Sequence, residues 1–282
     1  MDDHKRWQQA LASLRSGDYS SWPKHEWIRA GSQGSELTPT FGMPIWKGER
    51  GTVLVNADCG MGDTICYYRW LHQIDDVVLR CDADFEDLFP IPINHNSAPV
   101  AEADYIINML AVPGVLGIKS VSGEPYLSPA SQNPFASLTQ MGFDKIGICW
   151  AGNPFNQVDP ERSIPVELFN FWGDFKPFGL VKHEPTPEFM LDARGYMVNW
   201  LSTANLVSVM DLVITVDTAI AHLAGALGVK TWLLLPERVD WRWHGSEETT
   251  PWYSSVRIFR KTSTWEELLE EVRITIESQG LP

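Results

Sequence analysis

DLVITVDTAIAHLAGALGVKTWLLLP, residues 211–236, decides the fold class. Its first seven residues, Asp211–Asp217, read as a strand built on the apolar stretch around Leu212–Val216. TAIAHLAGALG (218–228) reads as a helix, and KTWLLLP (230–236) as a second apolar strand. Strands that are apolar on both faces and joined by a helix belong to a parallel sheet covered on both sides. The same order continues outward. VRIFRK (256–261) is a short strand, and residues 263–279 form a closing helix opened by Ser263 or Thr264, with Glu266 and Glu267 behind them. Upstream, KIGICWAG (145–152) is a strand ending in a glycine loop, GLVKH (179–183) a strand and residues 199–210 a helix.

A second series precedes this one. TVLVNAD (52–58) is a buried strand, followed by the glycine turn CGMGD and the helical TICYYRWLHQI (64–74). VVLRCD (77–82) and ADYIINML (103–110) are further strands, with the proline-rich PIPINHNSAP (90–99) between them. Residues 4–16 place Trp7, Ala10, Leu11 and Leu14 on one helical face. A second short helical stretch follows Pro23, and residues 31–50 read as a loop. Two strand–helix series separated near residue 141 predict an α/β protein with two facing Rossmann-like domains, parallel sheets and a cleft between them. The expected divisions are a helical remnant and loop over 1–50, an N-terminal domain over 51–140, a C-terminal domain over 141–262 and the closing helix over 263–282. In such folds ligands lie at the carboxyl ends of the strands.

Composition bounds what the chain does. Of 282 residues, 44% are hydrophobic and 21% charged, a globular balance that excludes wholesale disorder. No apolar run approaches the ~20 residues of a membrane span, and the charged N-terminus has no signal-peptide core, so a cytoplasmic location is the expectation. The net charge of −14 repels phosphate backbones and disfavours general nucleic-acid binding. Cys59, Cys66, Cys81 and Cys149 have neither CxxC spacing nor partner histidines and read as buried reduced thiols. No metal site is expected. Asp82 and Asp84 form an Asp-x-Asp pair after a strand, but in the N-terminal half, where they read as turn and capping residues.

Four segments carry chemistry. In VITVDTAIAHLAG (213–225), Asp217 or Thr218 can cap the helix, and the N–H groups of Thr218, Ala219 and Ile220 with the helix dipole make an anion site. Ala219 and Ala221 admit a diphosphate, and His222 lies one turn after Thr218. A capped helix with a core histidine is the alternative. In NADCGMGDTI (56–65), Gly60 and Gly62 permit close backbone approach, and Asp63 is either an N-cap or a carboxylate placed to take a proton from a hydroxyl. In WAGNPFNQVDPERSIP (150–165), the loop after Gly152 presents Asn153, Asn156, Arg162 and Ser163. Arg162 is a phosphate clamp or the partner of Asp159 or Glu161 in a surface salt bridge. In PERVDWRWHGSEETTPWY (236–253), aromatic rings interleave with Arg238, Arg242 and His244. Trp150, Glu237, Arg238, Trp241, Trp243 and His244 are candidate contacts to a base, sugar or acceptor, or belong to a packed flap.

Taken together, NADCGMGDTICYYRWL, EADYIINMLAVPGVLG, IGICWAGNP with ERSIP, DLVITVDTAIAHLAGALGVKTWLLLPERVDWRW and TPWYSSVRIFR resemble bacterial glycosyltransferases fused behind tetratricopeptide repeats, relatives of the heptosyltransferases. The resemblance runs over roughly residues 17–270, and GDYSSWPKHEW (17–27) resembles the tail of such a repeat array, otherwise nearly absent. The resemblance implies a GT-B-type fold and inverting, metal-independent transfer from a nucleotide diphosphate sugar. Asp63 matches the proposed catalytic carboxylate. Asp217, Thr218, Ala219 and His222 match the donor-phosphate helix, and Arg162 lies where the family carries a basic phosphate contact. The chain departs from the pattern between Asp82 and Ala103, where a strand and helix are expected. The leading expectation is therefore a glycosyltransferase with no cofactor beyond its donor and a glycan, protein or modified base as hydroxyl acceptor. Its alternatives are a sugar-nucleotide epimerase or hydrolase, and a module that binds or sequesters a nucleotide without turnover.

Overall fold

The computed structural model describes residues 3–24, 40–140, 145–156, 159–245 and 247–280. The helix expected after Pro23, residues 31–39 of the loop over 31–50 and the proposed division at 141 fall outside the described residues. The chain forms two compact units, Met1–Val121 with Trp241–His244, and Ser122–Asp240 with Gly245–Pro282. Each carries its own parallel sheet, so the fold is α/β with two sheets rather than one running through both halves.

In the first unit, helix α1 (Asp3–Arg15) precedes strand β1 (Val53–Asn56), helix α2 (Met61–Tyr68), β2 (Val77–Cys81), β3 (Ile93–His95), β4 (Tyr105–Asn108) and the single turn α3 (Val112–Val115). The strand order is β3-β2-β1-β4. Every residue of β1 is buried, which is why Val53–Asn56 reads as an unbroken apolar run closed by one asparagine. The chain builds outward from β1 through β2 to β3, then returns to pair β4 on the other side of β1. The carboxyl ends of β1 and β4 therefore flank a switch point, where connections diverge and leave a crevice.

β3 lies in the proline-rich stretch that the sequence pattern leaves irregular. Three residues give little ladder. Arg80, buried on β2, supplies the rest by donating to Asn94 Oδ1 (2.7 Å) and to the carbonyls of His95 (2.9 Å), Asn96 (2.7 Å) and Ala98 (3.2 Å).

The second unit contains β5 (Ile146–Cys149), the single turn α4 (Asp159–Arg162), β6 (Phe178–Gly179), β7 (Leu191–Asp192), α5 (Trp200–Val207), β8 (Leu212–Val216), α6 (Ala219–Leu227), β9 (Thr231–Leu235), β10 (Val256–Arg260) and α7 (Trp265–Ser278). Its order is β10-β9-β8-β5-β6-β7, with all pairs parallel. The chain leaves β5 toward β7 and then crosses to β8, so the switch point lies between β5 and β8. β8 and β9 are fully buried, as their composition demands. α6 starts on the Thr218 cap and stops at Gly228, whose φ of 74° closes the helix in the left-handed region. Asn199 and Ser202 form a capping box for α5, and Thr264 caps α7.

Of the boundaries that differ from the sequence pattern, three bear on the site and the division into units. The strand expected over 179–183 pairs only at Phe178 and Gly179. Residues 122–140, grouped by pattern with the first half, cluster with the second unit, where Tyr126 and Leu127 both donate to the Ala226 carbonyl (2.9 and 3.0 Å). Trp241–His244, grouped with the C-terminal half, pack in the first unit, where Trp241 meets Trp22 edge-on at 6.2 Å. Among the described residues, no helix is long and apolar enough to cross a membrane.

Candidate functional site

Each switch point carries a polar cluster. In the second unit it is built from the loops after β5 and β8. Thr218, the residue after Asp217, caps α6, and its Oγ1 accepts the Ile220 N–H at 3.3 Å. Ile220 is therefore not one of the donors offered to an anion. Thr218 and Ala219 retain N–H groups with no hydrogen bond among the described residues, at the positive end of the α6 dipole.

Arg162 is hydrogen-bonded to the residue that precedes this cap. Its Nη1 donates to the Asp217 carbonyl at 2.7 Å, and its Nε donates to Asp159 Oδ1 at 3.1 Å. Nη2 makes no hydrogen bond among the described residues. The pair with Asp159 is no surface bridge, since the two side chains are only 15% and 11% exposed. Ser163 completes the cluster by accepting the Gly152 N–H at 3.1 Å and donating to Asp159 Oδ2 at 2.9 Å. Gly152 has a concrete steric reason to be glycine: a Cβ there would stand 2.4 Å from both Arg162 Nη2 and Asp159 Oδ1. Arg162, Ser163, Gly152 and Asp217 are thus brought together. Asn153 is not, because its side chain accepts from Phe155 N–H at 3.0 Å and stabilises its own loop. Asn156 is likewise an exposed residue of that loop, its carbonyl accepting the Asp159 N–H at 3.0 Å.

His222 sits in the core rather than on the anion-facing side, 5% exposed with Nδ1 2.8 Å from the Tyr253 hydroxyl. Gly225 makes room for that tyrosine, since a Cβ there would meet its ring at 2.4 Å.

In the first unit, the turn after β1 leads into α2. The N-cap position belongs to Gly60, and no side chain caps the helix, so Asp63 is a first-turn residue and not the cap. Gly60 has an ordinary φ of −63°. Its missing Cβ matters as space, for that atom would lie 3.3 Å from Asp63 Oδ2. Gly62 follows in the same first turn. Asp63 Oδ1 accepts a hydrogen bond from Arg242 Nη2. The arginine side chain is 6% exposed and the carboxylate 30%. The guanidinium lies over Trp241 at 4.6 Å and near Tyr67 at 5.5 Å. At the end of β4, Asn108 donates to Asp58, so the carboxyl ends of β1 and β4 are tied together. Cys59, between the two aspartates, has its thiol pushed well up, first by burial and then by the Asp63 charge, which makes it a poor nucleophile.

The aromatic candidates are mostly core. Trp150 is 1% exposed, with its indole N–H donated to Glu184 at 2.8 Å, and Trp243 is also 1% exposed. Trp241 is buried in the first unit's aromatic cluster. These rings are packed and do not present a stacking face. Glu237 and Arg238 do reach solvent. They line an open cleft of about 580 Å³ past the ends of β9 and β10, with Lys261 and Trp265. His244 is exposed in the first unit. Sequence reasoning missed Asp159, Arg242 and Asn108 as members of these clusters. Asp159 was within reach, three residues from Arg162. Nothing local pairs Arg242 with a residue 179 positions away.

No family model matches the sequence, and no curated protein does. Solved structures do. The chain is similar to a glycosyl transferase family 9 protein from Veillonella parvula, with 14% identity and a TM-score of 0.52 over 79% of this chain and 91% of that one. It is also similar to E. coli ADP-heptose LPS heptosyltransferase II, with 12% identity and a TM-score of 0.53 over 81% and 99%. At such identities the likeness is one of fold: a glycosyltransferase-like α/β architecture of the GT-B kind.

Proposed function

We propose that the chain transfers a sugar from a nucleotide diphosphate sugar to a hydroxyl acceptor, with inversion and without a metal. The observation that supports this most is the state of Arg162. Its Nε and Nη1 are spent on Asp159 and the carbonyl of Asp217, the residue just before the α6 cap, and its Nη2 makes no hydrogen bond among the described residues. A fixed cation at a helix N-terminus and a strand switch point is suited to a diphosphate. On this reading the loops after β5 and β8 bind the donor diphosphate, and Asp63 is assigned as the base. The acceptor oxygen attacks the anomeric carbon as the bond from that carbon to the phosphate oxygen breaks. The electron pair leaves with the nucleoside diphosphate, where Arg162 and the helix N–H groups stabilise it. The hydroxyl proton passes to Asp63. Arg242 holds Oδ1 of that carboxylate and keeps it aimed.

One observation favours a second reading, nucleotide binding without turnover: Asp63 already has a buried arginine as its partner. Calorimetric titration with nucleoside mono- and diphosphates and nucleotide diphosphate sugars tests both. Diphosphates are expected to bind more tightly than monophosphates, and donor is expected to be consumed when acceptor is supplied, with or without chelator. No binding across the panel sinks both readings. Tight binding with no consumption leaves only the second. Activity lost to chelator and restored by Mg²⁺ removes metal independence.

A further inference from the structure

Asp159 sits where an acidic group should do harm. It is 7% exposed, directly beside the cation assigned to a diphosphate, and a carboxylate there repels an incoming anion. Its geometry explains why it stays. Oδ1 accepts the Arg162 Nε at 3.1 Å, and Oδ2 accepts the Ser163 hydroxyl at 2.9 Å. That hydroxyl in turn accepts the Gly152 N–H at 3.1 Å. The Asp217 carbonyl takes Nη1 at 2.7 Å, so a planar group with five N–H donors is fixed along two edges and has one nitrogen to spare. The missing Cβ at Gly152 lets this pair lie against the strand end.

We infer that Asp159 is a positioning residue for the anion clamp: it fixes the plane of Arg162 so that Nη2 is presented to a phosphate oxygen. The inference rests on the donor-binding role proposed for Arg162. Because Asp159 contributes nearly a full counter-charge, the clamp works through directed donors rather than through net positive charge.

The two possible roles of Asp159 predict opposite signs. If it only neutralises Arg162, removing it strengthens anion binding. If it orients Arg162, removing it weakens binding although the site becomes more positive. Titration of the full chain with ADP and with inorganic pyrophosphate decides between them. Asp159→Ala is expected to weaken binding by ~10-fold, the scale of one charge-assisted hydrogen bond. Asp159→Asn, which keeps an oxygen for Nε, is expected to stay within about threefold of wild type on the same reasoning. Asp159→Ala combined with Arg162→Ala should bind no more weakly than Arg162→Ala alone, because the first acts through the second. If Asp159→Ala does not fold, Asp159→Glu serves: it keeps the charge, displaces the oxygen and is expected to weaken binding. Unchanged or tighter binding by Asp159→Ala, or by Asp159→Glu in its place, with Arg162→Ala weakened, overturns the inference and leaves the donor site standing. A wild-type chain that binds neither probe overturns both.

Discussion

Two arginine–carboxylate pairs stand at the two switch points, and they are made in opposite ways. Asp159 and Arg162 lie three residues apart on one turn. Their remaining partners are the next residue, Ser163, and the backbone carbonyl of Asp217. Asp63 and Arg242 are separated by 179 residues. They meet because Trp241–His244, reached after β9 of the second unit, are folded into the first. A pair closed within one turn is available as soon as that turn forms. A remote pair exists only while the distant segment is docked, so its free energy also counts toward docking. The first pair should therefore report on binding, and the second on stability and on turnover.

The largest expected effect is on chemistry. Asp63→Ala should reduce transfer by ~10²–10⁴-fold, the usual scale for loss of a general base, while diphosphate affinity stays near wild type. Initial rates and calorimetry on the same preparation check both halves. Full turnover by this variant removes Asp63 from the mechanism and leaves its pair with Arg242 a purely structural one.

Next in size is stability. Truncating one partner of a fully buried ion pair costs roughly 3–5 kcal/mol. Arg242 is buried to that degree, but Asp63 is 30% exposed and regains some water, so Arg242→Ala should cost about 2–3 kcal/mol. The loss includes its packing over Trp241. Urea unfolding of the variant measures this. A cost below ~0.5 kcal/mol, the range of ordinary surface changes, would mean that the remote pair does not hold Trp241–His244 in place.

The same contrast explains what the sequence makes legible. β8, α6 and β9 are readable because their signals are local: unbroken apolar strands, a threonine cap and a glycine stop at Gly228. The turns after β1, β5 and β8 are readable for the same reason, and they bring Asp63, Arg162 and Thr218 to switch points. β3 is not, because its short ladder is completed by Arg80 from a neighbouring strand. Which tryptophans are core is also illegible. Trp150 and Trp241 look like ligand contacts in a one-dimensional pattern, and only Glu184 and Trp22 show them to be packed. Arg242 stands out in its aromatic run, but no local spacing connects it to Asp63.

A third effect, smaller than the first two, belongs to the local pair. Arg162→Ala should weaken nucleoside diphosphate binding by roughly 1.5–3 kcal/mol, the worth of a charge-assisted hydrogen bond. Binding of the bare nucleoside should change far less. Equal losses for both ligands would place Arg162 against the nucleoside and not the phosphates.

The smallest effect tests how redundant a locally closed cluster is. Ser163 Oγ accepts from Gly152 and donates to Asp159, so Ser163→Ala deprives both of one partner. Asp159 still accepts from Arg162, and the Asp217 carbonyl still holds Nη1. The guanidinium therefore keeps both of its anchored edges and loses only a support behind one of them. The expected loss in pyrophosphate affinity is about 0.5–1.5 kcal/mol, the net worth of an ordinary hydrogen bond, and smaller than that of Arg162→Ala. Titration of the two variants side by side reads the ratio. If Ser163→Ala loses as much as Arg162→Ala, the serine itself touches the anion, and the cluster has two donors to phosphate where the geometry assigns one. If it loses nothing, Asp159 needs no second anchor, and Asp159 with the Asp217 carbonyl is enough to set the plane of Arg162.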